Sequence, residues 1–316
     1  RLSPDKANRL RALVTGSTDT SVFADADFVI EAVFEDLEVK KQVFASLEAI
    51  VTAECILATN TSSLSVTAMA ADLSHPERVV GFHFFNPVAV MPLLEIARAG
   101  QTDDGTVATA FVVGKQLRKT CVLVQDAPAF VVNRLLTRYL NEVISAVDEG
   151  TPLDVADRAS RPLGLPMSPF ALLSLVGPAV ALHVSETMHR AFPDRYTVSE
   201  NLRRLVDAGV TSVWLPTEGG GQEMDPRVPG LLVQGDSPST EELLLERIGL
   251  ALADEVRRML DEGVVAEAQD IDLCMIMGAG WPFWLGGLTP YLDRSGASER
   301  AAGSRFLIQG VASVPA

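Results

Sequence analysis

A chain of 316 residues exceeds what one compact core usually spans, and 47% hydrophobic with 21% charged residues argues against disorder over most of its length. The net charge of −15, from 26 basic and 41 acidic residues, opposes phosphate backbones and anionic membranes, and no basic run compensates. Three cysteines, Cys55, Cys121 and Cys274, stand far apart without a CxxC pair. The sequence therefore suggests neither a zinc site nor a disulfide framework, expects no metal, and fits a reducing cytoplasm.

No apolar run reaches the roughly 18 residues of a membrane helix. The start, Arg1-Leu2-Ser3-Pro4, has neither a signal peptide nor an initiating methionine and reads as a cut inside a longer chain. Ser3 before Pro4 predicts a capped helix running to about Val14. Residues 27–33 (DFVIEAV) read as a buried strand. In residues 37–51, Val39, Val43, Phe44, Leu47 and Ile50 recur at helical spacing. Strands are expected at 55–59, 79–84, 92–96 and 121–124, with a helix at 106–117. This alternation predicts a doubly wound α/β domain. From Asp126 the pattern changes: a long helix is expected over 130–149, then mostly helix, with a loop or linker at 218–239.

The helical part contains a repeat. NEVISAVDEG, ending at Gly150, matches DEVRRMLDEG, ending at Gly263. At the same offset of 113 residues, Asp157 matches Asp270, and Pro169-Phe170 matches Pro282-Phe283. A duplicated helical unit is expected.

The densest chemistry lies in GFHFFNP. His83 ends an apolar strand and is followed at once by a turn, the place where ligands sit in open α/β sheets. Histidine exchanges a proton near neutrality, although a buried histidine satisfied by a backbone carbonyl is the plainer alternative. Glu95, twelve residues on inside another apolar strand, is costly to bury unpaired. If the strands are neighbours, its carboxylate can fix the imidazole tautomer, as a general base needs; otherwise it points out from an edge. Asn60-Thr61-Ser62-Ser63 follows a strand, where its hydroxyls can position a substrate oxygen or merely cap a helix. Glu31 and Glu35 can accept from a ribose hydroxyl, Lys40 can meet phosphate, and Asn133 is polar on the first turn of the long helix. Each taken alone is more often a surface charge or a cap.

Together these residues resemble the 3-hydroxyacyl-CoA dehydrogenase family. The motifs are VIEAVFEDLEVKKQVF, ATNTSSL, GFHFFNPVAVMPLLEI and DAPAFVVNRLL, in that order. The resemblance runs from about 27 to 177, with a second family-like unit from about 240 to 293. It implies a Rossmann-type NAD domain over 1–125, a helical C-terminal domain over 126–222 and a duplicate over 223–316. It further implies NAD as cofactor and an acyl-CoA substrate, with His83 as base and Glu95 as its partner. Ser62 and Asn133 would hold substrate oxygens. Val33, Phe34, Glu35, Lys40, Ser62 and Asn86 would border the cofactor.

GAGWPFWLGGLTPYLDRSG, residues 278–296, is similar to the end of multifunctional fatty-acid β-oxidation proteins. That likeness implies a preceding enoyl-CoA hydratase domain, a thiolase partner, oligomerisation through the helical domains and a substrate-side role for Tyr291. One departure stands out. The family's strand, Gly-rich turn and helix are missing: Gly278-Ala-Gly280 lacks a third glycine, and Gly219-Gly-Gly221 falls in a loop. An incomplete Rossmann-like sheet with an open edge and a weak hold on NAD are therefore expected. A catalytically incomplete fragment keeping helical assembly domains, and a short-chain 3-hydroxybutyryl-CoA dehydrogenase, are the competing readings.

Overall fold

A computed structural model describes residues 3–217 and 221–311. The reading of Arg1-Leu2, and of Glu218 to Gly220 within the expected linker, lies outside these. Helix α1 (Pro4–Arg11) is capped by Ser3, whose hydroxyl accepts from the Lys6 amide. There follow β1 (Phe28–Glu31), α2 (Leu37–Glu48), β2 (Ile56–Thr59), α3 (Val66–Ala70), β3 (Val79–Phe84), β4 (Leu93–Arg98), α4 (Asp104–Gln116) and β5 (Thr120–Gln125).

The five strands form one sheet in chain order, with β1, β2 and β3 parallel, β4 antiparallel to β3, and β5 parallel to β4. The connection from β3 to β4 has no helix, and so short a link can only return antiparallel. Side chains alternate between two covered faces. Leu57, Val79 and Leu93 face α2 and α3 through Phe44, Val66 and Met69. Ile56, Val80, Phe82, Leu94 and Ile96 face α4 through Ala110. Among the described residues β1 is an edge, and a cavity of about 530 Å³ lined by Phe23, Ile30, Val39 and Val43 runs beside it.

The helical part begins with α5 (Val132–Asp148), α6 (Leu153–Ala159), α7 (Pro169–Val176), α8 (Pro178–Ala191) and α9 (Glu200–Asp207). A hairpin of β6 (Trp214–Pro216) and β7 (Gln222–Met224) and the short α10 (Val228–Leu231) follow. The domain limit expected at 222/223 falls inside that hairpin, because its ladder pairs across it. Then come α11 (Glu241–Asp261), α12 (Ala268–Ala279), α13 (Leu288–Arg294) and α14 (Ala297–Ala302).

The two helices of the sequence repeat, α5 and α11, pack on each other, and the Gly150 and Gly263 that end them both adopt positive φ. The constant offset fails beyond them. Asp157 accepts from the Phe170 amide at the start of α7, 2.9 Å away. The carboxylate with that role in the second unit is Asp272, two residues past Asp270, which accepts from the Thr289 amide (2.7 Å) and hydroxyl (2.6 Å) at the start of α13. Asp270 instead caps α12 by accepting from the Glu267 amide at 3.3 Å. Pro282-Phe283 lies before α13 in a 3-10 turn rather than opening a helix. The turn from α11 to α12 is longer than that from α5 to α6, and α12 is longer than α6, so equal spacing in sequence does not mean equal position.

Candidate active site

His83 and Glu95 are direct cross-strand partners in the antiparallel β3–β4 pair, so the pleat puts both side chains on one face. His83 Nδ1 lies 2.7 Å from Glu95 Oε2. The second carboxylate oxygen, Oε1, accepts from the backbone amides of Val131 (3.2 Å) and Val132 (3.0 Å) at the entry to α5. Glu95 is fully buried and His83 nearly so, between the rings of Phe85 (4.4 Å) and Phe130 (5.7 Å). A carboxylate so placed fixes Nδ1 as the proton-bearing nitrogen and leaves Nε2 with its lone pair. The sequence located this pair; the two amides that hold Glu95 had no sequence signal, because any residue supplies an N–H.

The loop after β2 forms a second cluster centred on Glu35. Its Oε1 accepts from the Thr61 hydroxyl (2.8 Å), the Ser62 amide (2.8 Å) and hydroxyl (3.1 Å), and the Ser63 amide (3.2 Å). Burial pushes the Glu35 carboxyl up, but the hydrogen bonds from Thr61 and Ser62 and the Lys40 ammonium outweigh it and hold the group below its ordinary value. Asn133 Nδ2 donates to the Ser62 carbonyl at 3.3 Å, so the first turn of α5 touches this loop directly after touching Glu95. Asn60 Oδ1 accepts from the Phe84 amide at 2.9 Å, tying the same loop to the residue after His83. Asn60, Thr61 and Ser63 were visible in the sequence only as parts of a polar run.

The structure separates other candidates. The Lys40 side chain is 1% exposed, and its ammonium sits 2.8 and 3.0 Å from the Glu31 carboxylate and 3.4 Å from Glu35. It does not reach out to a phosphate, since leaving would strand the buried Glu31. Glu31 likewise faces inward, accepting also from the Thr59 hydroxyl at 2.7 Å and from the Val33 amide at 2.6 Å. Val33, Phe34 and Asn86 are exposed at the carboxyl ends of β1 and β3. Tyr291 lies on α13, half-buried, with its ring 5.8 Å from that of Trp281. No hydrogen bond or ring contact joins it to His83, Ser62 or Asn133 among the described residues.

Dinucleotides sit at the carboxyl ends of the strands in open α/β sheets, and the residues placed there by this sheet are compatible with one. Exposed Val33 and Phe34, Glu35 with its neighbouring hydroxyls, and Asn86 border the strand ends. A glycine-rich phosphate turn is not among the described residues. No group of three or more possible metal ligands is present among them, and no single helix there is long and apolar enough to cross a membrane.

The chain is similar in sequence and fold to known proteins. A family model described as 3-hydroxyacyl-CoA dehydrogenase, NAD binding domain, matches residues 1–127. The model of the 3-hydroxyacyl-CoA dehydrogenase C-terminal domain matches residues 130–213. The fold is similar to that of a 3-hydroxybutyryl-CoA dehydrogenase from Escherichia coli K12, at 24% identity and a TM-score of 0.76, over 98% of this chain and 85% of that one. The (S)-3-hydroxybutyryl-CoA dehydrogenase PaaH1 of Ralstonia eutropha is 34% identical over 67% of this chain and 76% of its own, with a TM-score of 0.63. The dehydrogenase part of multifunctional enzyme 1 from C. elegans is 26% identical over 90% of this chain and 68% of its own, with a TM-score of 0.57. The chain belongs to the 3-hydroxyacyl-CoA dehydrogenase family, NAD-dependent oxidoreductases built from a Rossmann-like domain followed by a helical one.

Proposed function

We propose that the protein oxidises an (S)-3-hydroxyacyl-CoA to the 3-oxoacyl-CoA, with His83 as the base. The observation that carries this reading is the buried 2.7 Å contact between His83 and Glu95, with both carboxylate oxygens of Glu95 engaged. Nε2 of His83 takes the proton of the 3-hydroxyl as the carbon–oxygen double bond forms. NAD, when bound, supplies the acceptor for the C3 hydride. The imidazolium that results is balanced by the Glu95 carboxylate, to which two backbone amides and the ring N–H donate. Ser62 and Asn133, joined through the Ser62 carbonyl, hold the substrate oxygens, and the Glu35 cluster keeps the Ser62 loop in place. Val33, Phe34, Glu35 and Asn86 would border NAD, while Lys40 contributes by holding Glu35 and Glu31.

The test is loss of NADH absorbance with acetoacetyl-CoA, measured on the full natural protein. A His83→Gln variant should lose about 10²–10⁴-fold in kcat/KM, and Ser62→Ala should lose activity with its fold intact. A His83→Gln variant of undiminished activity overturns the role given to the base.

The pathway reading is fatty-acid β-oxidation in the cytoplasm, with a hydratase domain in the same polypeptide, a thiolase partner and pairing through the helical domains. The likeness to the C. elegans multifunctional enzyme over 90% of the chain supports it. A short-chain hydroxybutyryl-CoA preference is favoured by the 34% identity to the Ralstonia protein of that name. Rates across acyl chain lengths separate them: a sharp optimum at four carbons selects the short-chain reading.

A further inference from the structure

Four consecutive residues at the head of α5 serve three different duties. Val131 and Val132 donate their amides to Glu95, Asn133 donates to Ser62, and Arg134 leaves the site altogether. Its Nε lies 2.5 Å from Glu255 Oε1 and its Nη1 2.7 Å from Glu262 Oε2, both on or at the end of α11 in the second helical unit. Arg195 approaches the same two carboxylates, at 3.1 Å from Glu255 and 3.6 Å from Glu262. Both guanidinium groups lie on the ring of Phe192, at 4.6 Å for Arg134 and 4.1 Å for Arg195. Arg134 and Glu255 are fully buried.

The turn that precedes them is strained. Ala129 and Phe130 have φ of +61° and +49° without being glycine, and both are fully buried. Such backbone persists only where its surroundings over-determine it. This turn aims the Val131 and Val132 amides at Glu95 and sets Phe130 beside the His83 ring. The nearest fixed point on its far side is Arg134, whose amide bonds back to the Ala129 carbonyl at 3.1 Å.

We propose that Arg134 and Glu255 are positioning residues for the His83–Glu95 pair: the buried ion cluster anchors the head of α5 to the second helical unit and holds the strained turn that grips Glu95. The proposal rests on the reading of His83 and Glu95 as the reacting pair. It assigns the second helical unit a part in catalysis although none of its residues need touch substrate.

The test needs no cofactor. In the labelled protein, the imidazole N–H of His83 held by Glu95 gives a low-field proton signal, identified by its loss in His83→Gln. Glu255→Gln should weaken or abolish that signal and speed amide exchange at Val131 and Val132 by about tenfold or more, while β2 stays protected. In turnover, kcat should fall with little change in KM. A folded Glu255→Gln protein with the signal and both amides unchanged overturns the proposal. If that variant does not fold, Arg134→Lys decides, because lysine keeps the charge but cannot bridge two carboxylates as a planar fork does. The same local loss supports the proposal there, and an unchanged signal overturns it. Failure of the base reading would show separately, as an active His83→Gln enzyme.

Discussion

His83 and Glu95, twelve residues apart in sequence, stand directly opposite each other on antiparallel strands with 2.7 Å between Nδ1 and Oε2. Glu95→Gln tests what the contact does. The amide oxygen would keep the Val131 and Val132 donors, so its NH₂ would face Nδ1 and force the proton onto Nε2. The base would then be blocked by its own tautomer, and kcat/KM should fall about 10²–10⁴-fold with folding intact. Steady-state kinetics beside a thermal melt check it; normal kcat in Glu95→Gln would refute the orienting role.

Gly81 lies on β3 opposite Ala97, two residues before His83. A methyl group there would sit 2.6 Å from the Ala97 Cβ, which has no rotamer to move into. Gly81→Ala should therefore push β3 and β4 apart, costing about 1–3 kcal/mol in denaturant titration. It should also lower activity, because the strain is applied to the strand pair that registers His83 with Glu95.

Lys40→Met removes the partner of a carboxylate that is wholly buried. Glu31 keeps only Thr59 and the Val33 amide, and the loss should be about 3–5 kcal/mol by urea unfolding. Replacing both as Lys40→Met with Glu31→Leu should recover most of that stability, since an apolar pair carries no desolvation cost. A double variant as unstable as the single one would contradict this account of Lys40.

Asp272 is pushed up to about 6, chiefly by burial, against the bonds from Thr289 and with Asp293 adding to the rise. The folded state thus binds this proton more tightly than the unfolded chain does. Its contribution to stability is neutral below about pH 4 and becomes unfavourable as pH rises toward about 6, reaching about 2–3 kcal/mol. The difference between wild-type and Asp272→Asn unfolding free energies, measured from pH 4 to 8, should show that slope. A flat difference would mean the carboxyl titrates alike in both states.

Much of the α/β part was legible because local signals agreed with the tertiary outcome. The strands at 55–59 and 79–84 and the helix from Leu37 are apolar runs or helical repeats bounded by polar turns; the strands form within a residue of where periodicity puts them, and the helix starts at Leu37 as expected but ends three residues early, at Glu48. The helical repeat was legible at α5 and α11, where packing demands the same face, and misleading at Asp270, where loop length is free to change.

By itself, the sequence determined that a titratable histidine and a carboxylate costly to bury lie in two apolar strands, and that a serine-rich turn and an asparagine stand nearby in the same pattern. Only the tertiary structure decided that those strands pair in register, that Glu95 is gripped by two backbone amides, and that Lys40 turns inward. It also joined Arg134 to carboxylates more than a hundred residues away. The reason is physical. Apolar periodicity and side-chain chemistry are local properties, written residue by residue. Register, backbone donors and ion partners depend on which distant segments the burial of those apolar faces brings into contact.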